Sequence, residues 1–339
     1  MANFALNRFD YYRCPTCKNK LTSVKAHSGA DFLHCQTGHS FPIHDDMVHF
    51  THSDKQTEEQ QESAVYYEKT ASIYDDIADL SFRIQCQDET STRRSFIDLL
   101  KLKPNAKVLE IACGTGRDSI NIVEKLGPDG AFHGVDFSPA MLQRCRNKLR
   151  NVNTKTDFSV GSALNLPFAD AHFDALFSFG GLNVFGDLSQ CFSEMVRVCK
   201  PGARIVVGDE SLAPWLYQSE YGRVLLANNP LFKHPLPLAH IPIEARQVRV
   251  QWVIGGVYYL IDFDVGQGEP PANFDIEIPG ERGGTLRTRY FGKTEGLSLD
   301  TLELAKKARQ KSGKSMHRWL DDVVRDAASR ALSSPESSS

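Results

Sequence analysis

Two groups of residues have types and spacing that carry chemistry. The first is Glu110-Ile111-Ala112-Cys113-Gly114-Thr115-Gly116, a glycine-bearing turn between a short apolar run and a helical segment. Glycines at such a turn let a ligand lie against the backbone. The nicotinamide spacing G-x-G-x-x-G is not met, because Arg117 and Asp118 follow Gly116. Asp136 closes the next apolar run, 20 residues beyond Gly116. A carboxylate there accepts hydrogen bonds from both hydroxyls of a ribose.

The second group is Cys14-Pro15-Thr16-Cys17 followed by Cys35 and His39, a C-x-x-C and a C-x-x-x-H. Three thiolates and one imidazole fill a tetrahedral site suited to zinc. The segment has few large apolar residues, so it needs a metal or a cross-link to fold. His34, His44, His49 and His52 compete for the fourth place, but His34 is adjacent to Cys35 and poorly placed to share its metal. No βαβ pattern surrounds the C-x-x-C, which weighs against thioredoxin-like redox chemistry. Both half-motifs precede the glycine turn, so the expectation is a closed, structural Zn2+ site.

These groups are positioned by an alternating pattern. Apolar residues recur at helical spacing over 63–102, closed by Pro104. Strands are expected at 106–112, 131–138, 158–160, 173–179 and 203–209. Helices are expected between them at 117–126, 139–149 (with Pro139 at its first position) and 189–200. Strands alternating with helices imply an α/β fold, a Rossmann-like doubly wound sheet. Residues 248–254 and 257–265 flank Gly255-Gly256, the signature of an antiparallel terminal hairpin. The expected organisation is a zinc-ribbon module over 1–52, a catalytic domain over 63–267, a Gly/Pro/Arg-rich loop or flap over 268–297, helices over 298–332 and a disordered tail over 333–339. The polar stretch 53–62 reads as a linker or an exposed helix start. The two final helices are separated by Gly313 and restart at Ser315.

Beyond Asp136 come Gly161-Ser162-Ala163-Leu164-Asn165-Leu166-Pro167-Phe168 and then Phe173-Asp174-Ala175-Leu176. In order and spacing, residues 64–210 resemble class I S-adenosylmethionine (SAM) methyltransferases, especially the ubiquinone/menaquinone-biosynthesis type. The resemblance implies that Glu110 and the backbone at Ala112, Gly114 and Gly116 hold the methionine portion of S-adenosyl-L-methionine. It puts Asp136 on the ribose, Phe137 and Met141 against the adenine, and Ser162 and Ala163 at the adenine edge. Tyr67 and Tyr74 match the family's tyrosine-bearing entry helix, and Ser178, Phe179 and Gly180 would face the methyl group. Ala112 stands where the family usually has its first glycine, and Ser162 where an aspartate is usual. CPTC…CQTGHSFPI resembles the N-terminal zinc ribbon of rRNA guanine methyltransferases, over residues 12–50.

The bulk numbers narrow the acceptor. A net charge of −3 gathers no nucleic acid by itself, and no apolar run reaches the roughly 20 residues of a membrane span. The start of the chain lacks the pattern of a secretory signal, and the scattered cysteines suit a reducing, cytoplasmic setting. The reading is a methyltransferase acting on a small-molecule acceptor, with 214–232 as an apolar lid. The alternative is an rRNA or tRNA base methyltransferase using the ribbon and Arg282, Arg287, Arg289 and Lys293. A third class, a non-catalytic binding protein on the same fold, draws on a faint likeness of the last helices to ribbon-helix-helix modules. Asp209, Glu210, His234 and His240 fall near strand ends, and none is assigned as a base. The oligomeric state is left open.

Overall fold

The computed structural model describes residues 9–25, 31–50, 65–291 and 298–333. The linker expected at 53–62, His52, Lys293 and nearly all of the expected tail lie outside them. The chain divides into two compact units, up to Pro270 and from Pro271.

Among the described residues, the first unit is built on one 11-stranded sheet. Four short strands come from the cysteine-rich segment: β1 (Leu21–Lys25), β2 (Asp31–Cys35), β3 (Ser40–His44) and β4 (Met47–His49), each antiparallel to the next. Helices α1 (Tyr74–Ile84) and α2 (Glu89–Asp98) follow. The alternating region then gives β5 (Lys107–Ile111), α3 (Ser119–Val123), β6 (Ala131–Asp136), α4 (Pro139–Lys148), β7 (Lys155–Val160), β8 (Phe173–Phe179), α5 (Leu188–Val198) and β9 (Cys199–Glu210). Helix α6 (Glu220–Asn228) precedes β10 (Ala245–Val253) and β11 (Tyr258–Val265). The strand order is β1-β2-β3-β4-β7-β6-β5-β8-β9-β11-β10. β5 to β9 pair in parallel and β11 and β10 antiparallel, so the doubly wound sheet with its terminal hairpin is present. Gly255 and Gly256 supply the positive φ (65° and 82°) that the hairpin turn requires.

The order reverses at β5, whose neighbours are β6 and β8. Ligands of open α/β sheets sit at the carboxyl ends of the strands at such a switch point. Burial on both faces explains why these strands read as unalternating apolar runs: Val108, Leu109, Leu176, Phe177, Ile205 and Val206 are all wholly buried.

The ribbon strands are part of the core sheet, because β4 pairs in parallel with β7, Val48 opposite Ser159 and His49 opposite Val160. Leu33, Phe41, Val48 and Phe50 share one buried cluster with Leu166, Phe168 and Leu176. The segment read as a zinc-ribbon module is packed into the domain it precedes.

The far edge holds a buried ion pair. Asp262 on β11 is fully buried and accepts from Arg204 on β9 and from Arg249 on β10, the latter at 2.8 and 2.9 Å. Replacing Arg204 by Met leaves that carboxylate with half its compensation. We expect Arg204→Met to cost about 3 kcal/mol, the low end for a broken buried pair, in a urea titration. A loss below about 1 kcal/mol would show that Arg249 suffices.

In the second unit, α7 (Leu286–Phe291) interrupts the stretch expected as a loop. α8 (Leu299–Ser312) begins at Ser298, whose hydroxyl accepts from Thr301 N–H, and ends at Gly313 with φ 67°. α9 (Met316–Ser333) follows, with Ser315 accepting from Arg318 N–H.

Candidate functional site

The chain leaves β5 at Ile111 and turns through residues 112–116 toward α3. Gly114 and Gly116 hold φ of 52° and 85°, and Ala112 holds 55°. A Cβ on Gly116 would lie 2.8 Å from Cys145 Sγ, so glycine here lets the loop rest on α4. Left-handed backbone costs a non-glycine residue about 1–2 kcal/mol. Ala112→Gly relieves that cost but loosens the unfolded chain. A net gain of about 0.5–1 kcal/mol in denaturant unfolding is expected; no gain would mean that the surrounding packing absorbs the strain.

Asp136 ends β6, buried, directly across from the loop. Its Oδ2 accepts from Gly114 N–H at 2.8 Å and its Oδ1 from Ser138 N–H at 2.9 Å. Burial pushes its carboxyl up to about 6, against the lowering effect of the Ser138, Gly114 and Phe137 amides. Ser138 also caps α4, and its hydroxyl donates to Glu68 at 2.8 Å.

Two adjoining recesses open around this carboxylate. One is lined by Ala112, Asp136, Phe137, Ser162, Ala163, Val184 and Phe185. The other is lined by Tyr67, Tyr74, Ala112, Gly114, Asp136, Phe137, Met141, Phe179 and Gly180. The rings of Tyr74 and Phe137 lie 5.9 and 5.8 Å from that of Tyr67. Burial raises both tyrosine hydroxyls, Tyr74 to about 12, so they are neutral donors.

Three expected residues are not in the lining. Gly116 packs on Cys145. Ser178 is wholly buried one residue before Phe179. The Glu110 side chain is buried and accepts from Ser119 Oγ at the start of α3. Burial, with Asp118 nearby, pushes its carboxyl well up.

Sequence patterns missed other residues. Val184 and Phe185 come from a short 3₁₀ turn after β8. Arg93 on α2 is buried, paired with Glu89 and Asp118, with its guanidinium 4.9 Å from the Phe82 ring and 5.7 Å from that of Phe179. Glu89 also binds Arg117. The i,i+4 spacing of Glu89 and Arg93 was a visible signal, whereas the partner Asp118 is 25 residues away.

A larger cleft of about 800 Å³ shares Tyr67, Tyr74, Ala112, Gly114, Phe179 and Val184 with these recesses and extends past Ile77, Leu80, Phe82, Ile84, Arg93, Glu210 and Tyr258. Of the four strand-end candidates, Glu210 lines this cleft and accepts from Tyr258 Oη at 3.2 Å. Asp209 is buried and accepts from the Asn183 and Glu210 amides. His234 and His240 are exposed and line none of these spaces.

The ligand atoms of Cys14, Cys17, Cys35 and His39 all lie within 4.8 Å of one another. Cys17 Sγ is 3.7 Å from Cys35 Sγ, and His39 Nδ1 is 3.5 Å from Cys14 Sγ and 3.3 Å from Cys35 Sγ. Zn–S bonds of about 2.3 Å in a tetrahedron place ligand atoms about 3.8 Å apart, so this donor set fits zinc closely. His34 and Ser40 approach each other instead, and His44 stacks edge-on with His49, outside the cluster.

A family model described as a methyltransferase domain matches residues 102–235. The demethylmenaquinone methyltransferase of Bacillus mycoides is 31% identical over 173 residues, 51% of this chain and 69% of that protein. That of Listeria welshimeri is 32% identical over 158 residues, 46% of this chain and 65% of that protein, so the chain spans a little under two-thirds of this relative's length. Among solved structures, the geranyl diphosphate C-methyltransferase of Streptomyces coelicolor aligns at 16% identity over 52% of this chain and 75% of that one, with a TM-score of 0.42. The chain belongs to the class I S-adenosylmethionine-dependent methyltransferases. Both of these relatives are demethylmenaquinone methyltransferases.

Proposed function

We propose that this protein transfers the methyl group of S-adenosyl-L-methionine to a small, largely apolar acceptor. The observation that carries this is the continuity of the Asp136 recesses with the wider cleft, whose wall includes Ile77, Leu80, Phe82, Ile84 and Tyr258. The Bacillus and Listeria relatives, named for methylating demethylmenaquinone, agree with an apolar acceptor. Among the described residues no helix is long and apolar enough to cross a membrane.

The bound cofactor supplies an electrophilic methyl on a sulfonium. The chain's part is then positioning, since in-line displacement needs no protein nucleophile. Asp136 takes the ribose hydroxyls, with Phe137 and Met141 beside the base and Ser162 and Ala163 at its edge. The backbone at Ala112 and Gly114 and the hydroxyls of Tyr67 and Tyr74 hold the amino-acid end. Phe179 and Gly180 stand where recesses and cleft meet, and so aim methyl and acceptor at each other. Glu210 is the carboxylate placed to receive a proton from an acidic acceptor. The Cys14, Cys17, Cys35 and His39 site holds structural zinc.

Two of the four charges cited for an RNA acceptor have local partners. Arg287 pairs with Asp275 at 2.9 Å, and Arg289 donates to Gly283 O. Incubation with radiolabelled cofactor and, separately, an organic-solvent extract or total RNA tests the reading. Label should enter the extract fraction; label confined to RNA would overturn it.

A further inference from the structure

We propose that the Cys14/Cys17/Cys35/His39 site controls cofactor affinity, because the ribbon it holds is the outer brace of the adenine side of the pocket. The proposal rests on the SAM reading above. The segment in question is 161–169, which begins with the pocket-lining Gly161, Ser162 and Ala163. It is gripped from both ends by the ribbon.

Before it, β7 pairs with β4, and Phe50 N–H donates to Val160 O at 2.7 Å, immediately ahead of Gly161. Without β4, β7 would be the open edge of the parallel sheet. Edge strands lose order first, having hydrogen bonds on one side alone. At its far end, residues 11–13, which run straight into the ligand Cys14, form an antiparallel bridge with it. Arg13 N–H donates to Pro167 O at 2.8 Å, and Ala169 N–H donates to Tyr11 O at 2.9 Å. Lys18, next to the ligand Cys17, reaches across to Glu194 on α5 at 2.8 Å. The same Glu194 oxygen accepts from Leu166 N–H at 2.8 Å. Leu166 and Phe168 lie wholly buried in one cluster with Phe41 and Phe50.

A metal held by the four ligands would link both grips. Cys14 and Cys17 anchor the 11–18 arm, while Cys35 and His39 anchor the turn between β2 and β3, on which β4 is laid. Removing the metal frees the arm from the strands, and the pocket floor at Ser162 and Ala163 loses its support.

The test compares full-length protein loaded with zinc, the same protein after chelation, and zinc-loaded Lys18→Asn. Asparagine tolerates the positive φ (59°) of position 18 but cannot reach Glu194. S-adenosylhomocysteine affinity is measured by titration calorimetry, and amide exchange is followed over 158–169. Chelation should weaken binding at least tenfold and speed exchange in that segment before the rest of the sheet. Lys18→Asn should retain one zinc and weaken binding about threefold or more. If chelation unfolds the chain outright, the Lys18→Asn result decides. Affinity unchanged within twofold in the folded samples overturns the brace. Absence of binding by folded, zinc-loaded wild type instead overturns the cofactor reading, and this proposal with it.

Discussion

Asp136→Ala should abolish measurable S-adenosylhomocysteine binding while leaving the protein folded. In the proposed complex this carboxylate accepts two hydrogen bonds from the ribose. Each charge-assisted bond contributes about 1.5–3 kcal/mol, so losing both costs about 3–6 kcal/mol, or roughly 10²–10⁴ in affinity. The side chain also ties Gly114 and Ser138 together, so its loss loosens the loop under the methionine end. The fold tolerates the change because burial already opposes ionisation there, raising the carboxyl to about 6. The same shift predicts a pH dependence. A hydroxyl pair binds the ionised form, so ligand affinity should be level above about 6 and fall below it, by up to tenfold per pH unit. The group's effect on stability has the opposite sign: with its folded value raised, its contribution is present at low pH and is lost as pH rises through about 6. Calorimetry at several pH values, beside thermal melts, separates the two. Affinity that is flat across this range, or a mutant that binds like wild type, would remove Asp136 from the ribose.

Cys35→Ser should release the zinc and lower thermal stability sharply. Structural zinc contributes apparent free energies of about 10–16 kcal/mol in isolated zinc-finger peptides. Here part of that is covered by packing, since Leu33, Phe41, Val48 and Phe50 are buried among core residues. A residual loss of about 4 kcal/mol would lower the melting temperature by about 8–16 °C in a domain of this size. Metal analysis should fall from about one zinc per chain to none. An unchanged melting temperature together with a missing metal would show that apolar packing alone holds the ribbon.

Much of the site was legible because its chemistry is local. The glycine turn, Asp136 at the end of a strand and Pro139 opening a helix all lie within 30 residues. Short apolar runs bounded by Gly and Pro marked the parallel strands for the same reason. The C-x-x-C and C-x-x-x-H halves were legible as a ligand set, and the structure brings all four side chains together. The union of ribbon and core was not. Its joining strand, β4, is three residues long, too short for any alternation to show. Motif order locates Glu110 along its strand but not the partner of its side chain, which is Ser119 at the start of α3. The Arg93 pairing with Asp118 depends on how α2 lies against the glycine loop, a tertiary fact without a periodic signature.

The most direct test of the central claim is a calorimetric titration of zinc-loaded, full-length protein with S-adenosyl-L-methionine and S-adenosylhomocysteine. Saturable binding of one ligand per chain, at micromolar affinity and with adenosine alone binding more weakly, is the predicted result. Folded protein that takes up neither ligand would contradict it, and the recess around Asp136 would then belong to a chain that has kept the methyltransferase fold without its cofactor.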